Sequence, residues 1–261
     1  MIGVFDSGIG GLSVLAAIAR SLPTADLTYV ADTAHVPYGP RSDAFIQGRV
    51  LAIGHYLANQ GCGLIVVACN TATAAAVQML RAELPHIPIV GVEPGVKPAA
   101  RMSRSRRIAV LATESTARSE RLARLIRDHA DGVEVLVEPC PGWATRVETR
   151  DLDTPDFIAE VEEKMERLLA AGVDQLVLGC THYSFLTPLL APRIAGRAQL
   201  VDVAEAVARQ AQRLAGPASL GQGRLRLLAT ARPEQLHRSL PPLGLAWLAA
   251  RNRAPELLAS I

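Results

Sequence analysis

Short apolar runs alternate with stretches of helical spacing along nearly the whole chain, and this alternation limits the fold more than any other feature. Ile2–Phe5, Leu64–Ala68 and RIAVLA (107–112) are apolar almost without interruption, as a parallel strand covered on both faces requires. LTYVAD, PIVGV, VEVLVE and QLVLG read as further strands. Residues 43–60 carry Ile46, Val50, Ile53 and Leu57 at three- and four-residue intervals up to Gly61, the pattern of an amphipathic helix with a glycine stop. LSVLAAIARSL, ending at Pro23, and TATAAAVQMLRAEL have the same helical character. Residues 116–130 read as one helix. Another spans 155–170, with Thr154 as N-cap and Pro155 at its first position. Strands alternating with helices give parallel sheets flanked by helices, joined by right-handed crossovers. The expected class is α/β.

The second half repeats the first. Gly61 and Gly172 each end a predicted helix, 111 residues apart (172 − 61 = 111), and Cys69 and Cys180 each end a strand at the same offset (180 − 69 = 111). Val90 and Val92 match Val201 and Val203 in the same way. An internal duplication into two similar lobes is the expectation. In such sheets ligands bind beyond the carboxyl ends of the strands. Asp6-Ser7, Asp32 to Tyr38, Cys69-Asn70-Thr71, Thr113 and Cys180-Thr181-His182 all fall at strand exits. Two lobes can turn these exits towards each other across a cleft.

Composition narrows the function classes. A 261-residue chain with 49% hydrophobic and 20% charged residues is globular rather than disordered. A net charge of +2 asks for neither nucleic acid nor an anionic membrane. No apolar run reaches membrane-spanning length. The start, MIGVFDSGIGG, lacks the basic segment of a signal peptide, so cytoplasm is the expected location. The four cysteines, at 62, 69, 140 and 180, are scattered and form no C-x-x-C pair. They read as isolated reduced thiols, not as disulfides or a structural zinc site. RMSRSRR (101–107) reads as a solvated surface segment rather than a phosphate patch. The region from Gly216 onward reads as closing structure without a chemical motif.

The turn DSGIGGLS has Gly8-x-Gly10 after a strand, but Ser13 stands where a dinucleotide fingerprint needs its third glycine. Its free amides still suit a carboxylate or phosphate. Cys62 and Cys140 read as small buried hydrophobes. Cys69 and Cys180 differ, because ACNT and GCTH surround each with hydroxyl, amide or imidazole groups. Cys69 also precedes a helix, whose N-terminus stabilises a thiolate. Three chemistries fit these residues. A Cys180–His182 pair could act as a nucleophile. Cys, His and a carboxylate could hold zinc, although C-x-H alone is weak support. Two thiols at matching positions could stand on either face of a planar carbanion and invert a stereocentre by proton exchange. The duplication favours the last.

Five motifs carry a resemblance: VFDSGIGGLSVL, YVADTAHVPYG, VVACNTATA, VGVEPGVKPA and LGCTHYSFL. In order and in content the chain resembles glutamate racemase, of the aspartate/glutamate racemase superfamily. The resemblance implies two pseudo-symmetric α/β lobes, each a mainly parallel sheet flanked by helices, with the active site in the cleft between them. Residues 1–93 and 206–261 would form the first lobe and 94–205 the second. It implies cofactor-independent racemisation of L-glutamate to D-glutamate for bacterial peptidoglycan, with no metal. Cys69 and Cys180 would be the acid–base thiols, Asp6 would assist near Cys69, and His182 would assist near Cys180. Glu148, in CPGWATRVE, would support that histidine. Asp6, Ser7, Tyr38, Gly39, Asn70, Thr71, Thr181 and His182 would hold the substrate. Glutamate would be the small-molecule partner, and self-association as a homodimer is an expectation at family level. Each role has a plainer alternative: Asp6, Ser7, Asn70 and Thr71 as helix caps, Tyr38-Gly39 as a turn, and Glu148 as a surface carboxylate. The chain also departs from the family pattern at Ser115, Leu122 and Ser184. If Ser115 could not adopt a glycine conformation, the loop carrying Thr116 would shift.

Overall fold

Every residue of the first strand, β1 (Ile2–Asp6), is buried, and the rest of its sheet is built outward from it. A computed structural model describes residues 1–251 and 256–258. After β1 come α1 (Leu12–Ser21), β2 (Leu27–Ala31), α2 (Asp43–Asn59), β3 (Leu64–Val67), α3 (Asn70–Glu83) and β4 (Ile89–Gly91). The helix starts follow local chemistry. Ser42 accepts a hydrogen bond from the Phe45 amide and so caps α2. Gly61, at φ +82, ends that segment in the left-handed conformation glycine tolerates.

The chain continues through α4 (Val96–Met102), β5 (Arg107–Ala112), α5 (Glu114–Arg118), α6 (Glu120–His129), β6 (Glu134–Pro139), α7 (Trp143–Thr149), α8 (Pro155–Ala170) and β7 (Gln175–Leu178). A 3-10 turn over Thr181–Leu186 leads to α9 (Thr187–Ile194) and β8 (Gln199–Val201). The last part holds α10 (Ala204–Leu214), β9 (Leu225–Ala229), α11 (Pro233–Arg238), α12 (Ala246–Ala249) and β10 (Glu256–Leu257). Two compact units result. One comprises Met1–Val92 and the chain from Ala204 on; the other is Glu93–Val203.

Each unit contains one sheet, and every strand pairing is parallel. The first unit has the order β10-β9-β2-β1-β3-β4 and the second β6-β5-β7-β8. The segment β2-β1-β3-β4 therefore has the same order as β6-β5-β7-β8, which is the signature of duplication. The register of that repeat is close in its later part. β3 and β7 begin 111 residues apart (175 − 64 = 111) and end 111 apart (178 − 67 = 111). Gly61 and Gly172 both have φ +82. β1 and β5 begin only 105 apart (107 − 2 = 105), so the copies differ in length before their third strands.

The long C-terminal region is part of the first sheet: β9 pairs with β2 along its whole length, from Leu27↔Leu225 to Ala31↔Ala229. Val67, Phe5, Val30, Ile46, Ile53 and Leu80 belong to the core on one face of this sheet. In the second unit Ile108, Val110, Val177, Leu122 and Val96 form the corresponding core. Fully burying such a side chain contributes about 1.5–3 kcal/mol. Among the described residues, no helix is long and apolar enough to cross a membrane.

One local expectation needs correction. Residues 116–130 are not one helix. Ser119 is extended (φ −73, ψ 137), and its hydroxyl accepts from the Leu122 amide, so it ends α5 and caps α6. Thr154 is the N-cap of α8 with Pro155 following, as expected, although its side chain makes no capping bond; its hydroxyl accepts from Arg146 Nη1 at 3.0 Å. The arginine tract is exposed and locally anchored. Arg106 donates to the carbonyl of Gly132 and Arg107 to that of Ala171, while Asp174 binds the Ser103 hydroxyl and the amides of Arg104 and Ser105.

Gly179, between β7 and Cys180, is required by close packing. A Cβ there would lie 2.7 Å from the Leu111 carbonyl oxygen, which is backbone of the adjacent strand. We expect Gly179→Ala to destabilise the protein by about 1–3 kcal/mol, the usual cost of overpacking, measured by urea unfolding. An unchanged midpoint would show that the two strands separate without cost.

Candidate active site

In the first unit the polar residues gather at the ends of β1, β2 and β3. Asp6 is fully buried at the end of β1, where its Oδ1 accepts from the Gly8 amide at 2.8 Å and the Ser7 hydroxyl at 3.3 Å. The Tyr29 hydroxyl donates to the Gly8 carbonyl at 2.6 Å and pins the same turn. α1 starts beyond it with Gly11 as N-cap and no side-chain cap, so Asp6 and Ser7 are not caps. A Cβ on Gly11 would lie 2.6 Å from that of Asp6, so close packing requires the glycine.

Cys69 is buried at the exit of β3 and is itself the N-cap of α3. Its Sγ accepts from the Ala72 amide at 3.5 Å. A 14-residue helix thus points its positive end at the sulfur, which favours the thiolate. Asn70 and Thr71 form the first turn of this helix and are buried, and neither is its cap. Both Asn70 carboxamide atoms, Oδ1 and Nδ2, are buried without a hydrogen-bond partner. Such a group costs about 1–3 kcal/mol, a cost that a bound polar ligand removes.

Tyr38 is buried, and its hydroxyl donates to Asp32 Oδ2 at 2.6 Å. Arg49 grips both oxygens of Asp32, at 2.8 and 2.9 Å, and the Thr230 hydroxyl of the β9 exit donates at 2.8 Å. Burial raises the Asp32 pKa, but the hydrogen bonds from Arg49, Tyr38 and Thr230 outweigh it and hold the carboxyl below its usual range. Burial first, and then the Asp32 charge, push the Tyr38 hydroxyl above its ordinary range. The side chain of Tyr38 is therefore a committed donor to Asp32. Gly39, partly buried, follows it in a turn closed by the Arg41 amide on the Tyr38 carbonyl. Arg49 and Thr230 were not foreseen: Arg49 lies on a helix and Thr230 in a segment without motif.

In the second unit Cys180 is buried beyond β7, and the 3-10 turn after it gives the sulfur no capping amide. The sulfur has an imidazole instead, with His182 Nδ1 at 3.7 Å. His182 Nε2 lies 2.6 Å from Glu148 Oε1, and the His182 side chain is only 3% exposed. Burial lowers the pKa of His182, yet its hydrogen bonds to Cys180 and Glu148 prevail and raise it well above 6.5. Thr181 is buried beside them. Glu148 is on α7, 34 residues from His182 in sequence, so the surface alternative for it does not hold.

The departures from the family pattern are accommodated. Ser115 lies inside α5 and outside the left-handed region, with Thr113 accepting from the Thr116 amide. Leu122 packs in the core, and Ser184 lies in the 3-10 turn. Cys62 and Cys140 are buried, and burial pushes their thiols up to about 11 and about 12.

Each of the two α/β units thus places a buried thiol at the exit of its third strand. Residues 2–211 match the Asp/Glu/Hydantoin racemase family, and the chain belongs to it. It is similar to the glutamate racemase of Pseudomonas aeruginosa, 47% identical over 246 residues and 93% of each protein. It is also similar to the crystal structure of Bacillus anthracis glutamate racemase isoform RacE1, with TM-score 0.86 and 28% identity, over 100% of this chain and 97% of the other. A third similarity is to Escherichia coli glutamate racemase in complex with L-glutamate and the activator UDP-MurNAc-ala, with TM-score 0.81 and 30% identity over 93% and 94% of the chains.

Two outcomes are expected. Arg49→Met should cost about 3–5 kcal/mol at pH 7, because it leaves the Asp32 charge buried and uncompensated. A depressed carboxyl pKa contributes stability above its unfolded value, and that contribution is lost as pH falls through the folded value. The gap from the parent protein in urea unfolding should therefore narrow in acid. Glu148→Gln should lower the His182 midpoint followed by imidazole NMR. A raised histidine pKa stabilises below the unfolded value of about 6.5 and loses that effect as pH rises through the folded one. The stability lost in Glu148→Gln should accordingly be larger at pH 6 than at pH 9.

Proposed function

We propose that the protein racemises glutamate, without cofactor, by proton exchange between two thiols, and so supplies D-glutamate for bacterial peptidoglycan. The observation that carries this reading is the repeated cysteine: Cys69 and Cys180 leave equivalent strands, both buried, each with a group that supports negative charge on sulfur. Its relatives in the family include glutamate racemases from end to end.

One thiolate removes the α-proton, and the C–H electrons pass into the adjacent carboxylate to give a planar carbanion. The other thiol delivers its proton to the opposite face. The first cysteine is left protonated and the second ionised, so the roles reverse for the other enantiomer. α3 stabilises the Cys69 thiolate, while His182, with Glu148 behind it, stabilises that of Cys180. General acid–base groups contribute about 10²–10⁴-fold each. Asn70 offers an unpaired donor and acceptor for the substrate's charged ends, and Asp6, Ser7, Thr71, Thr181 and the Tyr38-Gly39 backbone complete the set.

A second reading has its own observation. Cys180, His182 and Glu148 form a chain that could activate a nucleophile for acyl transfer. That chemistry has no use for Cys69. The purified protein, incubated with L-glutamate in D₂O, should lose the α-proton signal in NMR and lose optical rotation. Cys69→Ser and Cys180→Ser should each slow this by about 10²–10⁴-fold. Racemisation untouched by Cys69→Ser would exclude the two-thiol route. No exchange with glutamate, with exchange on aspartate, would move the substrate to the sister racemase.

A further inference from the structure

His182 has to meet two partners at once, and they are held in different ways. Cys180 is two residues away on the same turn. Glu148 comes from α7, a helix of seven residues, too short to be stable by itself. Something other than α7 must keep Glu148 Oε1 at 2.6 Å from His182 Nε2.

The side chain next to His182 provides a connection. Tyr183 is fully buried, and its hydroxyl donates to the Cys140 carbonyl at 3.2 Å, just before α7 begins. That carbonyl also receives the amide of Trp143, the first residue of α7, at 3.4 Å. The rings of Trp143 and Tyr183 meet edge to face with centroids 5.6 Å apart. Trp143 is fixed on its other sides, by Phe157 with centroids 5.7 Å apart and by Glu160, which accepts from the indole N–H at 2.7 Å. The turn carrying His182 and the helix carrying Glu148 are thus tied together at the root of that helix.

We propose that Tyr183, seated against Trp143, is a positioning residue that holds Glu148 in hydrogen-bond register with His182. It touches neither the sulfur nor the imidazole in this role and acts through α7. The tie uses the hydroxyl as well as the ring. Burial, with Cys180 and Cys140 nearby, raises the Tyr183 pKa, so it stays protonated and remains a donor. The titratable groups facing this cluster are Cys180 and Glu148 at His182, Cys140 and Glu160 at Tyr183, and Lys164 over the Trp143 ring. The catalytic consequence rests on the racemase reading; the positioning itself does not.

Tyr183→Phe keeps the ring and removes the hydroxyl. In folded protein, confirmed by urea unfolding, its His182 midpoint in imidazole NMR should fall by about one pH unit, the scale expected when one charged partner leaves contact. The kcat for glutamate racemisation should fall about ten- to a hundredfold, with KM changed less than about twofold, because uniform binding is not affected. If Tyr183→Phe does not fold, Trp143→Phe takes its place under the same criteria. An unmoved His182 midpoint would overturn the proposal whatever the kinetics, and so would a lowered midpoint with kcat unchanged. If the wild-type protein does not racemise glutamate, the titration still decides the positioning, and only the reading of the reaction falls.

Discussion

A strand buried on both faces can present a side chain to a ligand only where its ladder ends, and this constraint fixes both cysteines. β3 and β7 are buried at every position and bordered by parallel neighbours on both edges. The first residues free to leave the sheet are those after Val67 and Leu178, and the thiols follow within two residues. Gly179 narrows the freedom further, since it packs against the backbone of β5. The position of each sulfur is therefore set by the sheet and not by a flexible loop.

The two repeats surround the buried sulfur with different groups. Cys69 is followed immediately by a long α-helix and takes an amide from it. Cys180 is followed by a 3-10 turn that offers its sulfur no amide, and an imidazole and a carboxylate stand in. Burial alone would lower the pKa of His182; its hydrogen bonds to Cys180 and Glu148 reverse that. The duplication was thus kept in the sheet order while the support of the thiol diverged. The divergence sits where the offset between the copies has settled at 111, so it reflects residue type and not a shift of register.

What could be read from the sequence depended on distance along the chain. The strands β1 to β7, the helices α1, α2, α3 and α8 and both cysteines follow from apolar runs, helical spacing and glycine stops, which act over a few residues, whereas β8, β9 and β10 were not read. Ser119 shows the limit even there. A serine in a helical pattern is a weak signal until its hydroxyl is seen to cap the next segment. α7 was missed because WATRVET is short and its spacing carries little information. Arg49 and Thr230 had no signal at all, since their partner Asp32 lies 17 and 198 residues away.

The sequence by itself determined the α/β class, the duplication, the two thiols at strand exits and, through its motifs, the family. These rest on periodicity and on residues adjacent in the chain. Only the tertiary structure decided which partners surround the buried polar side chains. It set Glu148 against His182, bound Tyr38 to Asp32 instead of leaving its hydroxyl free, and left the Asn70 carboxamide buried without a partner. The reason is that hydrogen bonds and charge pairs are decided over distances of about 3 Å, between side chains that packing brings together from far apart in the chain. No local pattern encodes such a meeting.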